Sequence, residues 1–161
     1  LKSLAGIKMM ITSAVALKCR LTERIRTWDM PLRTDMRMDV FYYSSVLDLA
    51  ARANLVKCKK ISFLTYTEGT LKSKLVTFSL RSGLFFVDEW EDRIYAYARD
   101  LPGSFNVPAF YGRGYWISLS GNWKFARWGR VYVKGSLMQY PFMEKKKPGR
   151  AELKLMLKLK I

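Results

Sequence analysis

Histidine is absent from the 161-residue sequence, and cysteine occurs only twice, as Cys19 and Cys58. The lack of histidine removes the most common general base and the most common metal ligand. The two cysteines form neither a CxxC pair nor a zinc-ligand pattern, and two distant cysteines do not establish a disulfide. No GxSxG motif, phosphate loop or dinucleotide fingerprint appears. We therefore expect no enzyme activity, no metal and no cofactor.

Long apolar runs and acidic residues are also scarce. No window of about 18 apolar residues exists, which excludes a transmembrane helix. The chain has 13 Asp and Glu against 29 Lys and Arg, a net charge of +16. Such a charge suits a polyanion, namely nucleic acid, anionic lipid or lipopolysaccharide, or it lines the wet face of a sheet. The 50% hydrophobic content predicts a folded chain, and the length predicts one domain over residues 1–161.

The most regular pattern lies in residues 151–161, where apolar side chains occupy the odd positions and mostly charged ones the even positions. A period of two places these sets on opposite faces of a strand. At about 3.3 Å per residue, a tilted strand of this length can cross a bilayer. The first residue is Leu1 and not Met, so we expect a processed product or a fragment.

Similar alternation predicts further strands, including one long strand over residues 7–21. Residues 46–60 fit either a strand or a short helix, because Ala, Leu and Arg are good helix formers, and the neighbouring strands favour a strand. Residues 88–114 lack sustained alternation and are predicted to be a long loop. The remaining predicted strands cover residues 32–44, 61–67, 75–87, 115–125 and 130–140.

Together these segments predict an all-β, antiparallel up-and-down meander of about seven or eight strands, joined alternately by short turns and long loops. Oily outer positions and aromatic strand ends are typical of a transmembrane β-barrel, either small or part of a larger one. The same pattern fits a soluble sandwich, in which the aromatic residues anchor a core. The aromatic residues at the predicted strand ends are Trp28, Trp116, Trp123, Trp128 and Tyr140.

Residues 92–101 and 104–114 resemble the C-terminal β-barrel region of Bacteroidetes helix-hairpin-helix domain-containing outer-membrane proteins. The resemblance covers about the last 90 residues well and the earlier ones only by pattern. Ala98 stands where that family usually has Glu, Asn106 where it often has Ser, and Ile161 where such barrels commonly end in an aromatic residue. The matching residues are Arg93, Tyr95, Tyr97, Phe105, Pro108, Ala109, Gly112 and Gly114.

The resemblance implies a location in the bacterial outer membrane and contact with its lipid or lipopolysaccharide. It also implies upstream barrel strands or a partner chain, so that the domain is either a single barrel or the C-terminal fragment of a larger one. The expected role is structural, or transport or binding at the surface. Nucleic-acid handling is implied only through the helix-hairpin-helix repeats, which this chain lacks. The alternative is a soluble basic β-domain that binds nucleic acid.

Two groups of residues are candidate binding sites. One lies in the predicted long loop and could present cations and aromatic faces to a glycan, a lipid headgroup or nucleic acid, or could simply fold the loop onto the sheet. It comprises Arg93, Tyr95, Tyr97, Arg99 and Arg113. The other is the run Lys145, Lys146 and Lys147, which could contact a polyanion or be a solvated loop. The acidic residues between Asp88 and Asp92 lack a polar constellation that would indicate catalysis.

Overall fold

The computed structural model describes residues 1–25, 31–143 and 147–159 of the chain. They form one nine-stranded antiparallel sheet in which each strand pairs with the next along the chain. The all-β meander is confirmed, with nine strands where seven or eight were predicted. The sheet consists of β1 (Lys2–Met10), β2 (Val15–Arg24), β3 (Arg33–Tyr43), β4 (Leu47–Lys57), β5 (Ile61–Lys72), β6 (Val76–Val87), β9 (Gly112–Lys124), β10 (Gly129–Gln139) and β11 (Arg150–Leu159).

A segment of residues 88–111, here called the inner segment, separates β6 from β9. It contains a single 3₁₀ turn at Trp90–Asp92 and a short strand pair, β7 (Ile94–Tyr95) and β8 (Ala109–Phe110). The prediction of a long connection is confirmed, although β9 begins at Gly112, before the predicted start. Within the described residues, no helix is long and apolar enough to cross a membrane.

The prediction of one long strand over residues 7–21 is wrong. The chain turns back at residues 11–14, between β1 and β2. The Thr12 hydroxyl oxygen accepts hydrogen bonds from the backbone N–H groups of Ala14 and Val15, at 3.2 and 3.1 Å. A threonine hydroxyl can close a turn in this way without Gly, Pro, Asn or Asp. The alternation of apolar residues continues from β1 through the turn into β2. The sequence pattern therefore does not show where the first strand ends.

Two further comparisons concern the strand or helix assignment of residues 46–60 and the end of strand β5. Residues 47–57 form strand β4, so the strand interpretation is confirmed over the helix. Strand β5 was predicted to end at Thr67, before Glu68 and Gly69, but it continues to Lys72. Gly69 lies inside the sheet, opposite Leu49 on one side and Leu80 on the other. A glycine in a strand interior is compatible with pairing on both sides, although it usually indicates a turn.

The connections differ between the two ends of the sheet. One end, the turn end, has tight connections at residues 11–14, 44–46, 73–75 and 125–128. The other, the loop end, has connections at residues 25–32, 58–60, 88–111 and 140–149, of which only 58–60 is short. The predicted alternation of short turns and long loops is therefore confirmed in outline. Both β1 and β11 run from the loop end to the turn end.

The two faces of the sheet have different neighbours. The inner segment lies across one face, here called the inner face, and the opposite face, the outer face, has no described element against it. The core lies between the inner face and the inner segment, at the loop end. It contains Val56, Leu64, Tyr66, Phe85, Val87, Ile94, Ala96, Phe110, Trp116 and Tyr140.

The sheet does not close on itself. Among the described residues, no strand pairs with the free edge of β1 or with that of β11. Cys19 and Cys58 are both free thiols, Cys19 on the outer face of β2 and Cys58 in the connection between β4 and β5. Of the aromatic residues predicted at strand ends, Trp116 and Tyr140 are buried in the core, which fits the alternative in which aromatic residues anchor a core. Trp28 lies outside the described residues.

Candidate functional site

The outer face is a continuous apolar surface that extends over all nine strands. The register places large side chains from successive strands beside one another, for example Leu80 beside Leu119, and Leu137 beside Ile117. Leu153 is 81% exposed, and Leu119 in the middle of the sheet is still 39% exposed. The exposed aliphatic residues and methionines of this face are Ile7, Met9, Leu21, Met36, Met38, Val40, Leu49, Leu55, Ile61, Leu71, Val76, Leu80, Leu84, Ile117, Leu119, Val133, Leu137, Leu153, Leu155, Leu157 and Leu159.

Charged side chains of the outer face are confined to the loop end. In the described strands these residues are Glu23, Lys57 and Arg113, each at the end of its strand. From there to the turn end the face carries only apolar, small or hydroxyl side chains. The largest apolar patch of a monomeric soluble protein is commonly about 300–600 Å² and is often functional. Because this band extends over nine strands, we interpret it as a contact surface for lipid or for another protein.

Aromatic side chains border this band at both ends. Phe63, Phe86 and Phe142 stack in a row at the loop end, with ring centroids 4.9 and 5.5 Å apart. Trp123, Phe125 and Trp128 pack together at the turn end, with centroids 6.0 and 5.6 Å apart. On β5 the outer-face residues from Phe63 to Leu71 extend over about 26 Å at about 3.3 Å per residue. With the strand tilt of about 40° that barrels have, this length would cover about 20 Å of membrane thickness, compared with an apolar band about 25 Å tall.

The inner face has the opposite character, because it carries charged side chains that pair within a strand, across neighbouring strands or with the inner segment. Asp39 accepts hydrogen bonds from Arg37, at 2.7 Å, and from Arg52. Glu68 accepts from Arg81 and Arg99, each at 2.6 Å from its Nε. Both carboxylates are buried, with side chains 2% and 8% exposed. Buried charges are tolerated when they are paired and hydrogen-bonded, as they are here.

The acidic residues at the start of the inner segment attach it to the loop end. Asp92 is fully buried, and its carboxylate oxygens accept the backbone N–H groups of Lys59 and Lys60, at 3.1 and 2.8 Å. Glu91 pairs with Lys59 at 2.8 Å, and Glu89 pairs with Lys60 at 2.9 Å. These residues therefore have a structural role in fixing the segment over the turn between β4 and β5.

Hydrogen bonding to these cations changes several pKa values. The hydrogen bond from Lys59 lowers the pKa of Glu91, and the same bond raises the pKa of Lys59. The hydrogen bond from Glu89 likewise raises the pKa of Lys60. Arg113 donates to both oxygens of Asp88, at 2.6 and 2.7 Å, and this lowers the pKa of the Asp88 carboxyl.

A second attachment holds the middle of the inner segment against β10 and β11. Asp100 lies 3.2 Å from the Lys134 ammonium and 3.0 Å from that of Lys154. Burial alone would raise the pKa of Asp100, but the Leu101 N–H and these two ammonium groups lower it overall. Lys134 also lies 3.1 Å from Glu152 and is 1% exposed. The inner segment is therefore held by ion pairs at both positions, with the apolar core near the first.

The five candidate residues of the predicted long loop do not form one site. Arg93 contacts the rings of Trp90 and Tyr95 and donates to the Tyr95 hydroxyl at 2.6 Å. Tyr97 and Arg99 lie over the middle of the inner face, where Arg99 reaches Glu68. Arg113 is on the outer face at the loop end, paired with Asp88. A binding role for Arg93, Tyr95, Tyr97, Arg99 and Arg113 stays a prediction.

Of the three candidate lysines, only Lys147 lies within the described residues. Its ammonium is 4.2 Å from the Tyr140 ring centroid and 5.1 Å from that of Tyr111, and it donates to the Tyr111 carbonyl at 3.3 Å. Burial lowers the pKa of this ammonium. Lys147 therefore contacts the protein's own aromatic residues. Lys145 and Lys146 lie outside the described residues, and polyanion binding by the run stays a prediction.

The sequence did not single out the paired charges around Tyr66. The Arg52 and Arg81 guanidinium groups lie 5.1 and 4.6 Å from the centroid of the Tyr66 ring. The charges of alternating sign on one face of β3 favour pairing within the strand or with neighbouring strands. The partners depend on the register between strands, which one strand's sequence does not contain.

No protein-family model, curated protein or solved structure matches this chain.

Proposed function

We propose that this sheet is part of the wall of an outer-membrane β-barrel, with the outer face in lipid and the inner segment inside the barrel. The function of the chain is then structural, and its interior offers a surface for solute passage or binding. The observation that carries this proposal is the outer face, which is exposed, apolar and uncharged from the loop end to the turn end. The resemblance to Bacteroidetes outer-membrane proteins supports the same assignment.

Several other features fit a bilayer. Aromatic residues at the two borders suit the membrane–water interfaces, where aromatic girdles of barrels lie. Away from the apolar core at the loop end, the inner face is polar, as barrel interiors are. Short turns commonly face the periplasm and long loops the exterior, so the loop end would face outward. There Lys57 and Arg113 could contact lipopolysaccharide phosphates.

The free edges of β1 and β11 require partners in this environment. Every unpaired backbone group in hydrocarbon costs several kcal/mol, so a membrane sheet cannot keep open edges. Because β1 and β11 run in the same direction, an odd number of further strands completes an antiparallel barrel. We propose that such strands come from another segment or from a partner chain.

The two native cysteines provide an experiment. Cys19 faces outward in the middle of β2, opposite Ile7 and Met38. In liposomes, a C58A variant should react with a water-soluble maleimide far more slowly than the same protein in urea. The aqueous control is a C19A/C58A/S73C variant, with its thiol in the exposed turn between β5 and β6. It should react at similar rates in both conditions.

The proposal fails if the chain is a folded monomer in detergent-free buffer with Cys19 freely reactive. That result would leave the alternative of a soluble basic β-domain. The alternative has its own measurement, because nucleic-acid affinity should then fall steeply with added salt. The +16 net charge is the observation in its favour.

A further inference from the structure

Two carboxylates on the inner face each bind two arginines. Asp39 lies between Arg37 and Arg52, and Glu68 lies between Arg81 and Arg99. In a pair of one arginine with one carboxylate, the charges cancel. Here four guanidinium groups share two carboxylates, so a net positive charge remains. The two groups are joined through Tyr66, whose ring contacts both Arg52 and Arg81.

An open cavity of about 330 Å³ lies beside these groups, between the inner face and the inner segment. Three of the four arginines, Arg52, Arg81 and Arg99, line it. The aromatic residues Phe41, Tyr43, Tyr66 and Tyr97 form much of the remaining wall. Small-molecule sites typically start at about 300 Å³ and combine aromatic walls with a few convergent polar groups.

Two of the lining arginines keep donors available. The Nε of Arg52 donates to Asp39, while its two Nη atoms make no hydrogen bond to the described part of the chain. Arg99 uses Nε for Glu68 and Nη2 for Thr70, which leaves Nη1 without a partner among the described residues. The other lining carboxylate, Asp48, is paired with Lys72 at 2.7 Å. The cavity therefore offers guanidinium donors without a free competing carboxylate.

We propose that this cavity binds the carboxylate or phosphate group of a small organic anion. The planar fork of arginine matches both groups, and charge-assisted hydrogen bonds are stronger than neutral ones. The aromatic wall suits the ring or carbon skeleton that carries the anionic group. This goes beyond the proposed wall function, since it assigns a ligand class to the interior. Binding can be measured in detergent, whether or not the sheet lies in a bilayer.

The experiment is isothermal titration calorimetry of the protein in zwitterionic detergent at low ionic strength. The probes are inorganic phosphate and glucuronate, with glucose as the neutral comparison. Each is added up to about 10 mM, which largely saturates a site with a Kd of about 1 mM. We expect saturable binding of at least one anion, weakened by added salt, and no binding of glucose. The salt dependence follows from screening of the guanidinium charges.

Three variants test the site itself. R52Q and R99Q should each weaken anion binding by about tenfold, the loss of one charge-assisted hydrogen bond. Each leaves its carboxylate paired with the other arginine, so folding should persist. R99K should lie between R99Q and wild type, because it keeps the charge without the fork. R130Q, at an exposed position on β10, is the control with the same charge change and should bind like wild type.

The proposal is overturned if neither phosphate nor glucuronate binds, or if R130Q weakens binding as much as R99Q does. It is also overturned if glucose binds as well as glucuronate, because the guanidinium groups would then be irrelevant. Unchanged near-UV circular dichroism in the variants is required to assign the loss to the site. None of these results depends on whether Cys19 is shielded by lipid, so the two proposals fail separately.

Discussion

Gly83 on β6 lies beneath the indole ring of Trp116 on β9. The two residues are directly opposite in the sheet, and both face inward. A Cβ atom built on Gly83 would lie 2.4 Å from Trp116 Cη2 and 2.4 Å from the Thr65 carbonyl oxygen. The Trp116 ring also packs on Phe110, with centroids 4.4 Å apart, so it has no free space on the other side. Glycine at position 83 is therefore a packing requirement.

We predict that Gly83→Ala destabilises the fold by about 1–3 kcal/mol, the usual cost of forcing extra atoms into a packed core. Gly121→Ala is the matched control, because a Cβ there would meet its nearest neighbours at 3.6 and 3.9 Å, an ordinary contact. The measurement is the free energy of unfolding by guanidinium in detergent micelles. Equal losses in the two variants would show that the Trp116 contact is not the cause.

For Trp116, the sequence predicted correctly which face of the sheet the side chain occupies. It did not predict that the side chain is buried in the core. Alternation correctly placed Trp116 on the face that also carries Ser118 and Ser120. It could not show that Phe85, Phe110 and Tyr140 converge on the same point from other strands and the inner segment. Period two fixes which side a residue faces. What lies across from it depends on chain segments far away in sequence.

At the scale of elements, the ion pairs of the inner segment make its attachment dependent on pH. The pKa values of Asp88, Glu91 and Asp100 are lowered in the folded protein from ordinary values of 3.8, 4.5 and 3.8. Groups with lowered pKa stabilise the fold fully above their unfolded values and lose this contribution as pH falls through the folded ones. Lys59, with a raised pKa, loses its contribution only in the alkaline range.

We therefore predict that the inner segment loosens as pH falls below about 4, while the sheet stays folded. Hydrogen exchange with mass spectrometry should show protection of residues 88–111 unchanged between neutral pH and about pH 5, and decreasing below about pH 4. Asp88→Asn should reduce the acid-dependent part, because its bidentate pair with Arg113 no longer titrates. Exchange in β5 serves as the internal control. Simultaneous loss of protection in β5 and the inner segment would contradict local release.

Strand assignment from sequence worked where Asp29 and Pro31, or Pro141 and Gly149, separated two alternating runs. It failed at residues 11–14, where Thr12 closes the turn, and at Gly69, which lies inside a strand. Both errors have one origin, since turn residues were taken as the signal for strand ends. The hydroxyl of Ser44 acts like that of Thr12, accepting the N–H groups of Val46 and Leu47 at 3.3 and 3.0 Å. A serine or threonine before a tight turn is thus the signal that would have located the β1–β2 hairpin.

At the scale of the whole molecule, unpaired positive charge on the inner face of the described strands is concentrated at the β1 edge of the sheet. The inner-face cations of β3 to β6 are largely matched by carboxylates, whereas Lys2, Lys8, Lys18, Arg20 and Arg24 on β1 and β2 share their face with no acidic residue of those strands. Strands that complete the edge of β1 would therefore be expected to carry acidic residues on the inner face. The sequence contained the basic excess but not its concentration at an edge, which depends on strand order.

The lipid assignment predicts a strong dependence on position for a charge added to the outer face. Leu119 lies in the middle of that face, between Leu80 and Gly135. Leu119→Arg should destabilise the protein in phospholipid bilayers by about 2–4 kcal/mol, the cost of an arginine at the bilayer midplane of a barrel. Ser73→Arg, in the exposed turn between β5 and β6, should cost little, because water solvates it. The measurement is reversible guanidinium unfolding in liposomes, and equal stabilities of the two variants would mean that water, and not hydrocarbon, covers Leu119.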